Sequence, residues 1–235
     1  MANVVITGAN RGIGLALVRE YVAAGDRVYA LCRVPAQAAE LAMLAEQSGG
    51  RLTLHALDMA SGAGVAAAAR AAVGEAPVDV LLNVAGVLGG ETGAVTSTRF
   101  DEDDFADWHH AFEVMTVGPF RLIQALLPNL IAARGKAMTV SSQLAASTWP
   151  FGGMYAYGAT KAGVNRVMMS LAIDLRDQGV CVASIHPGYV QTDMGGPTAD
   201  ITPQKSAAGI RSVVEQLALD NSGNFFKWNG ELHPW

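Results

Sequence analysis

"TGANRGIG", residues 7–14, follows the apolar run Asn3-Val4-Val5-Ile6 and leads into residues with helical spacing, Ile13, Leu17 and Tyr21. Glycines at 8, 12 and 14 let the main chain turn tightly and approach a ligand, while the free amides and positive dipole of a helix start favour an anion. A glycine patch alone says little, because ordinary turns use glycine too. Set between a first strand and a first helix, it predicts the pyrophosphate seat of a dinucleotide.

Further apolar runs at 28–31, 52–57, 78–82, 137–140 and 180–185 are rich in Val, Leu and Ile and lack strict alternation. Strands buried on both faces read this way. Between the runs the spacing is helical, as at Val164, Met168, Leu171 and Leu175, and Gly25 and Gly179 stand where helices should end. The alanine-rich stretch from Gly64 to Ala76 is a good helix former. Strand and helix alternating six times predict right-handed crossovers and an α/β fold. Its sheet is parallel and doubly wound, a Rossmann fold, in a single domain over residues 1–235.

The chain has 235 residues, 51% hydrophobic and 16% charged, which excludes a disordered polymer. Its apolar stretches are too broken by charge and glycine to span a bilayer, and strand-like sequence begins too early for a signal peptide, so a cytoplasmic protein without membrane contact is expected. Cys32 and Cys181 sit inside apolar runs and read as small buried residues rather than a disulfide or zinc framework. A net charge of −5 without a basic cluster argues against a nucleic-acid partner. His109, His110 and Glu113 have the spacing of half a metal site but no second cluster, and read as helix surface. The acid run Asp101 to Asp104 suits the positive end of a following helix.

After the second run, where NAD-preferring sheets often carry an acid for the ribose 2′-hydroxyl, this chain has Cys32-Arg33. A guanidinium in place of an acid favours a 2′-phosphate, hence NADP(H) over NAD(H). Arg11 is either a second positive contact or a solvated loop residue. "YAYGATK", residues 155–161, sets two tyrosines against one lysine. Residues four apart share a helix face with Cβ atoms about 6 Å apart, so Lys161 pairs with Tyr157 and not with Tyr155. A neighbouring ammonium lowers a phenol's pKa from about 10, so Tyr157 is expected to be an activated acid/base and Tyr155 packing or pocket wall.

The order "TGANRGIG" (7–14), "NVAG" (83–86), a serine near the end of the fifth strand, "YGATK" (157–161) and "HPGYVQTDM" (186–194) resembles the short-chain dehydrogenase/reductase family. The stretches "GGMYAYGATK" (152–161) and "GNFFKWNGELHPW" (223–235) are similar to its C-factor-like branch. The resemblance implies a catalytic trio of Tyr157, Lys161 and Ser142, with Ser141 as the alternative serine, and no metal. Lys161 would also hold the nicotinamide ribose. Cofactor contacts are implied for Gly8, Asn10, Arg11, Gly12, Ile13 and Gly14, and for Arg33. Asp58 matches the acid that meets the adenine amino group, and Asn83, Ala85 and Gly86 match the turn under the adenosine ribose. Pro187, Gly188, Val190 and Thr192 match the segment that holds the carboxamide. A homodimer or homotetramer pairing through the Tyr157 helix is also implied.

One position departs from the family pattern. In "FEVMTVGPF", 112–120, Met115 stands where an asparagine is usual, and a thioether cannot reproduce an amide's hydrogen bonds. The family resemblance also implies that a relay water behind the lysine is held by the main-chain carbonyl at this position, which any side chain preserves. Trp149, Phe151, Met154 and Met194 are candidates for an apolar substrate wall or for plain loop packing. The expected function is an NADPH-dependent oxidoreductase acting on a small carbonyl or alcohol. The alternative is a dinucleotide-binding sensing or signalling protein with vestigial catalysis.

Overall fold

The computed structural model of the chain describes residues 1–88 and 105–235; the acid run Asp101 to Asp104 lies outside them. Among the described residues, the six apolar runs form β1 (Asn3–Thr7), β2 (Arg27–Cys32), β3 (Leu52–Ala56), β4 (Val80–Asn83), β5 (Lys136–Val140) and β6 (Cys181–His186). A seventh strand, β7 (Phe225–Lys227), completes one sheet in the order β3-β2-β1-β4-β5-β6-β7, with every neighbouring pair parallel. At three residues, β7 is too short to carry a readable period, and so it escaped the sequence reading.

Both faces of the sheet are covered, which is why its strands do not alternate. Val4 and Ile6 of β1 point into a core shared with α1 (Gly12–Ala23), α2 (Ala39–Gln47) and α8 (Pro203–Gln216). Val5 points into the opposite core, with α3 (Ala63–Val73), α5 (Gly118–Ala125), α6 (Leu127–Ala133) and α7 (Tyr155–Asp174). All three are fully buried, each contributing about 1.5–3 kcal/mol of transfer free energy. Cys32 and Cys181 are buried and free, as expected.

Strand order reverses between β1 and β4, and in sheets of this kind ligands bind in the crevice beyond the strand ends at that reversal. On the far side of the sheet, β7 is an edge strand whose outer groups are taken up by the chain's own tail. Lys227 N–H donates to the Glu231 carbonyl at 2.7 Å, His233 N–H donates to the Phe225 carbonyl at 2.7 Å, and Phe226 bridges Leu232 antiparallel. No single helix among the described residues is long and apolar enough to cross a membrane.

Candidate active site

The crevice at the strand reversal is a cleft of about 850 Å³. Its floor is tied together by Thr7, whose hydroxyl oxygen accepts the N–H groups of Val84 at 3.0 Å and Ala85 at 3.1 Å, joining the end of β1 to the loop after β4. Gly8, Asn10, Arg11, Gly12, Ile13 and Gly14 line one side. A Cβ on Gly14 would fall 2.2 Å from the Gly8 carbonyl oxygen, so only glycine lets the loop fold this closely onto the helix. The start of α1 has no side-chain cap and no acid in its first turn. Its unpaired amides and positive end therefore suit a pyrophosphate, and the cradle fits a dinucleotide.

Towards the adenosine end, Arg33 and Asp58 line the cleft, as do Ala85 and Gly86. Arg33 is exposed, and among the described residues no carboxylate pairs with it. The Asp58 carboxylate accepts the N–H of Ala60 at 3.0 Å. Asn83 lies beneath the cleft rather than in its lining; it is buried and donates to the Thr139 hydroxyl at 3.1 Å. Arg11 lines the cleft and is also solvent-exposed, and its guanidinium pairs with Asp193 at 2.8 Å. That ion pair connects the glycine loop to the segment after β6, a contact between distant stretches that neither stretch announces.

At the other end, Tyr157 and Lys161 stand one turn apart on α7 and both line the cleft, with the lysine Nζ 5.7 Å from the tyrosine ring centre. Tyr155, at the first position of the helix, lies outside the lining formed by the described residues. Lys161 is buried and donates to the Val140 carbonyl at 2.8 Å. The two serines separate by their bonds. Ser141 lines the cleft but donates its hydroxyl to the Lys161 carbonyl at 3.2 Å, whereas Ser142 lies just outside the lining, where its hydroxyl oxygen accepts the Leu144 N–H at 3.2 Å and is near enough to the Tyr157 phenol to act on its pKa.

The expected lowering of the Tyr157 pKa is not what the surroundings impose. Burial raises the phenol, with the Ser142 hydroxyl opposing it, and burial pushes Lys161 down to about 8. Both charged forms lose water here, and that loss outweighs the attraction inferred from spacing alone. The phenol is thereby held in its protonated form.

Met115 lies in a π-helical turn, Glu113–Val117, between α4 (Phe105–Phe112) and α5. The wide turn forms without an asparagine. In an α-helix the Met115 carbonyl would accept from residue 119, but that residue is Pro119 and has no N–H. The Thr116 hydroxyl fastens the turn to α7 through the Thr160 carbonyl at 2.9 Å. Met115 itself is buried; a Cβ on Gly86 would lie 3.6 Å from its sulfur and 4.0 Å from the Lys161 Nζ, so thioether and ammonium meet around one glycine.

Beyond β6, Pro187 and Thr192 line the cleft, while Gly188 and Val190 support it from behind. Val190 is buried and bridges Ile201, and a Cβ on Gly188 would lie 2.6 Å from the Ile201 side chain. Of the apolar candidates only Met194 joins the lining; Trp149 and Phe151 pack edge-to-face on each other with ring centres 5.2 Å apart. His110 lines the cleft instead of being plain helix surface. Its position four residues before Val114, another lining residue, was the available signal. Glu113 pairs instead with Arg121, and no cluster of metal-binding side chains occurs among the described residues.

Comparison with known proteins bears on this arrangement. The family model described as short chain dehydrogenase matches residues 2–201. The C-signal protein of Myxococcus xanthus is 40% identical over 163 residues, covering 68% of this chain and 93% of that protein. The solved carbonyl reductase Sniffer of D. melanogaster superposes with a TM-score of 0.91 at 28% identity, covering 100% of both chains. A carbonyl reductase from Pseudomonas aeruginosa PAO1, solved in complex with NADP, superposes with a TM-score of 0.87 at 31% identity, again over 100% of both chains.

Proposed function

Because the chain belongs to the short chain dehydrogenase family, we propose that it is an NADPH-dependent oxidoreductase that reduces a small carbonyl compound or oxidises the corresponding alcohol. The observation that carries this reading is the pairing of Tyr157 and Lys161, with Ser142 close behind the phenol, at one end of a cleft whose other end is the glycine cradle. The glycine loop and the α1 amides would hold the pyrophosphate, Arg33 the 2′-phosphate, Lys161 the nicotinamide ribose, and Thr192 the carboxamide. When bound, the dinucleotide supplies or accepts the hydride.

The chain's own residues handle the proton. The Ser142 hydroxyl orients the substrate oxygen, and the Tyr157 phenol, kept protonated by burial, donates to it in the reducing direction. With its pKa near 8, Lys161 is about nine-tenths charged at pH 7, and its ammonium stabilises the phenolate left behind. The Met115 carbonyl, which Pro119 leaves without its α-helical donor, is the site for a relay water behind the lysine. That supports turnover despite the missing asparagine.

Affinity with the C-factor-like branch is part of the same proposal, supported by the similarity to C-signal. Together with Met115 it also favours the second reading, a dinucleotide-bound sensor with vestigial catalysis. NADPH oxidation measured across a panel of aldehydes, ketones and diketones separates the two. Turnover on at least one carbonyl class is expected, and none on any, with NADPH demonstrably bound, would leave the sensor.

Cofactor choice should follow Arg33. NADPH is expected to bind at least about ten-fold tighter than NADH, a difference of about 1.4 kcal/mol that one charge-assisted phosphate contact can supply. Arg33→Ala should erase most of that difference. Equal dissociation constants for the two cofactors in the parent protein would remove the basis of the assignment.

The proposal includes a homodimer or homotetramer. Phe120 of α5 and Met169 and Ile173 of α7 are 39%, 37% and 65% exposed beside an apolar groove floored by Val117, Val167 and Leu171. A solution mass of two or four chains is expected by light scattering at micromolar concentration. A monomer would contradict it.

A further inference from the structure

We infer that His186 is a positioning residue for the Ser142 hydroxyl, and that the C-terminal segment around His233 holds the His186 ring in place. The kinetic side of this inference rests on the reductase reading above. His186 closes β6 immediately before Pro187.

The Gln143 N–H donates to His186 Nδ1 at 3.2 Å. Gln143 follows Ser142, so this bond fixes one side of the peptide plane between them. The other side is fixed as well, since the Ser142 carbonyl accepts the Ala145 N–H at 3.0 Å. A plane held from both sides keeps Ser142 in its extended conformation, φ −155° and ψ 153°. From there its side-chain oxygen accepts the Leu144 N–H at 3.2 Å on the side of the Tyr157 phenol, whose burial-raised pKa it opposes. Displacing the plane would displace the hydroxyl, and a misplacement of about 1 Å in a reacting constellation can cost about a hundred-fold in rate.

The ring is in the right chemical state for this. Burial, reinforced by His233 and Lys227, pushes His186 down to about 4, so at neutral pH the Nδ1 lone pair is available to accept. Its orientation is also constrained. The His233 ring stands edge-on at 5.5 Å and packs 4.6 Å from the Phe225 ring, and the residue is anchored by its main-chain N–H, which donates to the Phe225 carbonyl. A second strut from the same segment reaches the same loop, where the Trp235 carbonyl accepts the Ser147 hydroxyl at 2.9 Å and its N–H at 3.1 Å.

Two substitutions isolate the acceptor. His186→Leu retains apolar bulk and loses Nδ1, whereas His186→Asn can place an amide oxygen near the Nδ1 position. His186→Leu should lower kcat by about ten-fold or more while leaving the NADPH dissociation constant within about two-fold. His186→Asn should stay within about three-fold of the parent in both. Hydrogen–deuterium exchange across 142–147 should quicken in the leucine variant alone. Equal behaviour of the two variants, a loss confined to cofactor binding, or unchanged exchange would overturn the inference. If His186→Leu does not fold, His233→Ala leaves the imidazole present but unbraced, and should quicken the same exchange and lower kcat about three-fold; no change in either would be equally decisive against it. Should the parent reduce no carbonyl at all, the exchange comparison still decides the role of His186, and it is the functional reading that falls.

Discussion

Tyr157→Phe is expected to lower turnover by about a thousand-fold, within the range of about 10²–10⁴ that a positioned proton donor contributes, or roughly 4 kcal/mol of barrier. Only the phenolic hydroxyl is deleted, so NADPH affinity should change by no more than about three-fold, under 1 kcal/mol. The ring remains to pack against its core, and the Lys161 ammonium remains beside it. Tyr155→Phe should be mild, since Tyr155 lies outside the lining and six residues from Lys161. Steady-state kinetics with direct cofactor titration of both variants checks the assignment. An inactive Tyr155→Phe beside an active Tyr157→Phe would refute it.

Gly14→Ala should cost the protein its cofactor. The added methyl would sit 2.2 Å from the Gly8 carbonyl oxygen, 2.8 Å from the Gly8 carbonyl carbon and 3.1 Å from the Ala9 Cα, all main-chain atoms with no side-chain freedom to yield. Relief requires the glycine loop to lift away from α1, which spoils the seat where anion and helix start meet. A rise in the NADPH dissociation constant of about a hundred-fold, near 2.7 kcal/mol, is expected. Overpacking of this kind also destabilises by about 1–3 kcal/mol, so cooperative melting must be confirmed beside the titration. Gly25→Ala is the matched control. Its φ of +86° makes any side chain strained, but nothing lies within 4 Å, so stability should suffer while cofactor affinity does not. Cofactor binding by Gly14→Ala within about three-fold of the parent would show that the loop has another way to close.

The sheet was legible because burial on both faces writes itself as unbroken Val, Leu and Ile, and six strands appear where those runs lie. The glycine cradle and the Tyr157–Lys161 face were legible for a similar reason, since each depends on spacing within one segment. What escaped depends on segments far apart in the chain. The Arg11–Asp193 pair spans 182 positions, and the Gln143–His186 bond spans 43. The direction of the Tyr157 shift escaped too, because spacing reveals a neighbouring charge but not how much water the fold removes from both groups. Asn83, Ser142, Gly188 and Val190 mark the limit of transferring a motif, which identifies the neighbourhood of a site without saying which members face it.

The tail that folds back along β7 also bears on how copies of this chain can meet. A free sheet edge is a template, offering unpaired donors and acceptors to any strand of matching chemistry, including the same strand of a second molecule. Here Glu231 and His233 have already claimed the outward Lys227 N–H and Phe225 carbonyl. Two copies therefore cannot merge their sheets across that border, and it offers no nucleus for strand-by-strand growth. Association on this side of the sheet is left to side chains, where complementarity of shape is more selective than the repeating pattern of a backbone.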